Sequence, residues 1–99
     1  MSSFLAILRY LLLSPPLSWS IRGLHADMDE TFAEMTRMDS SIANARANRA
    51  LFGAVDELQR ERDELESRYA ALSRELDARE ERYEKLRLAA VRALEGDAP

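Results

Sequence analysis

The chain of 99 residues contains no cysteine and a single histidine, His25. Without cysteine there is neither a disulfide framework nor a thiolate metal site. One histidine without further His, Cys or acidic residues at ligand spacing does not form a typical zinc site. We therefore expect no metal and no cofactor.

Motifs of common active sites are also missing from the sequence. There is no glycine-rich phosphate loop, no nucleophile elbow and no Cys/His pair. Carboxylates are plentiful, but they follow a helical pattern with no second layer of structure to form a pocket around them. We predict that the protein is not an enzyme and has no small-molecule substrate.

Positive charge is not concentrated anywhere along the chain. Fourteen Lys and Arg residues stand against 18 Asp and Glu, which gives a formal net charge of -4. Binding to nucleic acid requires a basic patch that neutralises several phosphates. The sequence therefore predicts that nucleic acid is not a partner.

Turn-forming residues are few, with three Gly and three Pro. Between Leu24 and Leu94 the only helix-breaking residue is Gly53. Such a composition is typical of long helices, and we predict an all-α fold. Because a single long helix has no core of its own, it must bury an apolar stripe against another helix.

A heptad repeat that starts at Leu51 continues through the helix predicted over residues 54–95. Leucines recur every seven residues, and a second apolar series is offset from them by four. This spacing predicts a coiled coil, as a parallel dimer or small bundle formed with itself or with another coiled-coil protein. The predicted seam consists of Leu51, Val55, Leu58, Leu65, Tyr69, Leu72, Leu76, Tyr83 and Leu86.

Charged residues support the same helix. The pairs Glu75–Arg79 and Glu81–Lys85 have the acid four residues before the base, an order that stabilises a helix. Arg62 and Arg79 fall on the apolar seam itself. Their long aliphatic stems can lie along the seam while the guanidinium group reaches an acid on the partner helix.

Residues 1–23 form an apolar segment that contains Arg9 and Arg22 and no acid. Since Pro15 and Pro16 disfavour helix, we predict a short helix of about 15 Å that ends before them and cannot span a membrane. The predicted membrane or docking residues are Phe4, Leu5, Ile7, Leu8, Arg9, Leu11, Leu12, Leu13 and Trp19.

Several roles fit this segment. In the preferred one it anchors the chain at a membrane surface, with Arg9 and Trp19 at headgroup level. The alternatives are a mitochondrial targeting segment, a helix that docks on a partner or folds back on the rod, and a tilted or kinked span.

Residues 24–53 are predicted to form a second amphipathic helix with methionine on its apolar stripe. Methionine adapts to irregular contacts, and such a stripe is usually core. The apolar surface widens again near the carboxyl end, before the tail at residues 96–99, where Gly96 occupies the position of a helix cap. The possible partner surface consists of Met28, Met35, Met38, Leu88, Val91 and Leu94.

The apolar stripe changes phase at Gly53, since Phe52, Val55 and Leu58 are spaced by three and three rather than by three and four. Such a mismatch calls for local overwinding or a bend. We predict a hinge here, and a hinge that folds back fully would give a helical hairpin, which is the alternative fold.

The preferred function is that of a structural or scaffolding protein that self-associates and is tethered to a membrane surface, on its cytoplasmic face, or to a larger complex. The alternative is an accessory subunit of a multiprotein complex in an organelle such as the mitochondrion, or in the cell envelope. In that case residues 1–23 act as a targeting signal.

Overall fold

The computed structural model describes residues 2–96, which form two helices and no strand. Helix α1 runs over Ser2–Ala47 and helix α2 over Val55–Leu94, joined by a 3₁₀ segment over Arg49–Ala54. The all-α prediction is confirmed. The helical hairpin is also confirmed in the turn region, because α1 and α2 lie side by side on either side of the 3₁₀ segment.

The predicted helix break at Pro15 and Pro16 is wrong, because α1 continues through both residues. The second helix predicted over residues 24–53 does not start separately either, because residues 24–47 are part of α1. Each proline forfeits a backbone hydrogen bond and costs about 3 kcal/mol or more in a helix interior. Residues on either side of them, Tyr10 and Ser20, contact α2, and this packing opposes the local preference.

The apolar amino-terminal part of α1 is longer than the predicted helix, because α1 continues through Pro15 and Pro16. The apolar part of α1 is not limited to about 15 Å. By length and composition α1 contains a stretch that is apolar enough to cross a membrane, and none of that stretch is buried. Signal sequences share these properties.

The described chain divides into two compact units. One unit, here called the turn pair, holds residues 26–74, which comprise the end of α1, the 3₁₀ segment and the start of α2. The other, called the terminal pair, holds residues 2–25 of α1 and residues 75–96, which include the end of α2. Each unit is a single layer of two helices.

One inner stripe runs along α1, and its residues are spaced alternately by three and four. In the turn pair the buried members are Thr31, Met35, Ile42 and Ala45. The Thr31 hydroxyl donates a 2.8 Å hydrogen bond to the carbonyl of Asp27, which satisfies this buried polar group. Phe32, by contrast, is 58% exposed. Threonine therefore occupies the stripe, and phenylalanine lies beside it.

The turn is built around Asn48. Its backbone is extended, and its side-chain oxygen accepts a 3.0 Å hydrogen bond from the Ala50 amide. This is the geometry of an asparagine cap, which ends one helix and starts the next. Gly53 lies in the 3₁₀ segment that follows, at the predicted hinge.

The carboxyl end of α2 is capped as predicted. Gly96 adopts a left-handed backbone with φ of 70°, and its amide donates to the Ala93 carbonyl at 3.3 Å. Glycine is the residue that adopts this conformation without steric cost.

Replacing Leu76 by alanine tests the inner stripe. Leu76 is 6% exposed, so Leu76→Ala should lower the free energy of unfolding by about 2 kcal/mol. Urea unfolding followed by circular dichroism measures the change. Leu88→Ala removes the same atoms from a 39% exposed site and should cost much less. Equal losses at both sites would contradict burial of the stripe.

Gly53→Ala should stabilise the chain by about 0.4–1 kcal/mol. The backbone φ of Gly53 is not positive, and a Cβ added there meets no atom within 4 Å. The control is Gly96→Ala, which should destabilise α2 because φ there is positive. The same unfolding experiment measures both, and a destabilising Gly53→Ala would show that the turn needs glycine.

Candidate interaction surface

The inner face of the terminal pair is held by polar and aromatic contacts. The hydroxyl oxygens of Tyr10 and Tyr83 are 3.3 Å apart, and their ring centroids are 6.2 Å apart at a tilt of 58°. Arg79 donates to the Ser20 hydroxyl and also pairs with Glu75 on its own helix. These contacts fix the inner side of α1 against α2.

In the turn pair the corresponding contacts involve Arg62 and Tyr69. The Arg62 guanidinium donates to Asp39 of α1 at 3.1 Å and also pairs with Glu66. The Tyr69 ring lies 6.2 Å from that of Phe32. The predicted reach of a seam arginine to an acid on a neighbouring helix is therefore observed, with the acid on the same chain.

Hydrogen bonds across and along the helices shift four pKa values. The bond to Asp39 raises the pKa of Arg62, and the bond with Tyr10 raises the pKa of Tyr83, so both keep their ordinary protonation near neutral pH. The bond between Arg87 and Glu84, which are both exposed on α2, lowers the pKa of Glu84 and raises that of Arg87. Exposed pairs of this last kind contribute little to stability.

The predicted seam residues lie mostly on the inner face of α2. Leu76 is buried, and the other members are half-buried, except Leu51, which is exposed in the 3₁₀ segment. Their inner neighbours belong to α1 of the same chain. The stripe that predicts self-association is thus the stripe that pairs α2 with α1, and self-association remains a prediction.

The predicted partner surface divides into two sets. Met35 is buried and Met28 and Met38 are half-buried on the inner stripe of α1. Leu88 and Leu94 are exposed on α2, while Val91 is half-buried. The methionines contribute to the interior of the helix pairs, and the leucines remain accessible.

Most of the predicted membrane or docking residues lie on the side of α1 that faces away from α2. Ile7 instead belongs to the inner stripe, and Leu13, at the edge next to α2, lines a groove with Arg82 and Leu86. Ile7 is half-buried, and Arg9 is exposed at the edge of the apolar group. The remaining seven define the surface here called the apolar outer face. Its members are Phe4, Leu5, Leu8, Leu11, Leu12, Leu13 and Trp19, all exposed.

Sequence reasoning missed Tyr10 and Ser20 as contacts of α2, and for Ser20 the sequence carries no signal. For Tyr10 there is one. The signal is present in the spacing of Ile7, Tyr10, Ser14, Leu17 and Ile21, which alternates between four and three residues. All five are half-buried. The pattern passes through the prolines and continues to the methionine stripe, and it was hidden by the assumption that the helix ends at Ser14.

Within residues 2–96 no group of three or more His, Asp or Glu side chains converges in a way that could hold a metal ion. Comparison with protein-family models, curated proteins and solved structures finds no match for the chain. The clues to function are therefore which sides of α1 and α2 pack against each other and which sides are exposed.

Proposed function

We propose that the chain is a non-enzymatic structural protein that is tethered to a membrane surface by the apolar outer face of α1. The proposal rests on seven large apolar side chains within residues 4–19 that are all exposed. A contiguous exposed apolar surface of this kind typically marks a membrane or protein interaction site.

The two helices of the terminal pair have different outer surfaces, one apolar and one charged. The inner side of α1 packs on α2 through Tyr10 and Ser20, so its outer side is left without a partner among the described residues 2–96. The adjoining part of α2, from residue 75 to its end at Leu94, carries five acids and five bases. This arrangement places an apolar helix on one side and a charged helix on the other, which suits an interface between lipid and water.

The proposed scaffolding role involves exposed apolar side chains that lie outside the apolar outer face. The 3₁₀ segment exposes Leu51 and Phe52, and α2 exposes Leu88 and Leu94. Assembly with another copy or with a different helical protein through these side chains would leave the inner stripe of the hairpin intact. A parallel dimer through the stripe would instead require the hairpin to open.

The second candidate is an accessory subunit of an organellar or envelope complex. Exposed apolar side chains also fit a groove on another protein. In this case the apolar outer face would be covered by the complex, and the isolated chain would not bind lipid.

Vesicle flotation of the full chain tests the proposal. Leu8→Gln with Leu12→Gln removes two leucines that are 38% and 64% exposed on the apolar outer face. Because burying a leucine side chain contributes roughly 1.5–3 kcal/mol, the double variant should bind mixed neutral and anionic vesicles at least about tenfold more weakly.

The control is Leu88→Gln with Leu94→Gln, whose side chains are 39% and 72% exposed on α2. It removes the same atoms from sites of similar exposure and should float like the natural chain. Equal loss in both double variants, or a natural chain that does not float, would contradict the proposed tether. The second result favours the accessory subunit.

A further inference from the structure

We propose that the apolar outer face binds anionic phospholipid and lies in the plane of the membrane while α1 stays paired with α2. This rests on the proposed function and adds to it the class of lipid and the orientation of the helix. Two separate observations carry it, one on charge and one on the neighbouring helix.

The charge around the apolar outer face is positive. Residues 1–26 contain Arg9 and Arg22 and no acid, and the first acid of the chain is Asp27. Both arginines are exposed, and within residues 2–96 neither guanidinium forms an ion pair. Free guanidinium groups beside an apolar surface suit the phosphates of an anionic membrane.

The geometry of the helix suits a position of Arg9 at headgroup level. At 3.6 residues per turn, Leu8, Leu12 and Trp19 point to the same side of α1, opposite Tyr10 and its contact with α2. Arg9 lies at the edge of this side. Its stem can follow the apolar surface while the guanidinium stays in the headgroup region.

The orientation follows from α2. By length and composition, α1 contains a stretch that is apolar enough to cross a bilayer. Its inner side, however, contacts α2 through Tyr83 and Arg79, on the part of α2 from residue 75 onward, which carries ten charged side chains, five acids and five bases. Taking these charges into hydrocarbon is prohibitively costly. A paired α1 therefore lies along the surface, and spanning would require it to leave α2.

Trp19 is the only tryptophan of the chain and is 69% exposed, so it reports binding of the full chain directly. Its emission is titrated with vesicles of phosphatidylcholine alone and with vesicles in which a third of the lipid is phosphatidylglycerol. Two arginines near the surface should make binding to the anionic vesicles about tenfold to thirtyfold tighter.

Arg9→Gln with Arg22→Gln should remove most of this preference. The matched control is Arg60→Gln with Arg74→Gln, which makes the same change in net charge at exposed sites in the turn pair and should keep the preference. Equal binding to both kinds of vesicle would overturn the lipid class and leave the tether standing. Binding to neither would overturn the tether itself.

The depth of Trp19 tests the orientation. Lipids brominated near the headgroup should quench its emission more strongly than lipids brominated near the chain ends, because an in-plane helix inserts only about 5–10 Å. The opposite order would show that Trp19 lies near the bilayer centre. It would overturn the in-plane orientation while the membrane tether remains.

Discussion

Two inner stripes, one on each helix, lose contact with water only by lying against one another. Each unit is a single layer of two helices, so within residues 2–96 no third element covers the inner side of either helix. In the turn pair the buried side chains include Met35 and Ile42 of α1, and in the terminal pair they are Leu24 of α1 and Leu76 and Ala90 of α2. All other features of the molecule depend on this pairing, since it decides which side of each helix is left for other contacts.

The packing of α1 against α2 also explains why α1 continues through two prolines. The local cost at Pro15 and Pro16 falls on the outer side of the helix, where both residues are exposed. The inner contacts of Tyr10 and Ser20 lie on either side of them. The same division leaves leucines and Trp19 outside, and this apolar outer face is the basis of the proposed membrane tether.

Much of this architecture is predictable from the sequence, because heptad spacing is a local property. The stripe of α2, the cap at Gly96 and the bend near Gly53 all follow from residue types at fixed positions. What covers the stripe of α2 does not follow, since a heptad pattern fits a second copy as well as a helix of the same chain. The proline break was wrong because local propensity yields to packing contacts that are distant in the sequence.

Energy transfer within one chain tests the pairing most directly. Arg37 and Arg68 are exposed, and they line adjoining grooves beside Leu65. Because the chain has no cysteine, Arg37→Cys with Arg68→Cys gives two specific labelling sites. Doubly labelled chains are diluted into a large excess of unlabelled chains, so that transfer between chains does not contribute. The hairpin predicts high transfer. Low transfer, as expected for residues about 46 Å apart along one uninterrupted helix, would contradict the account.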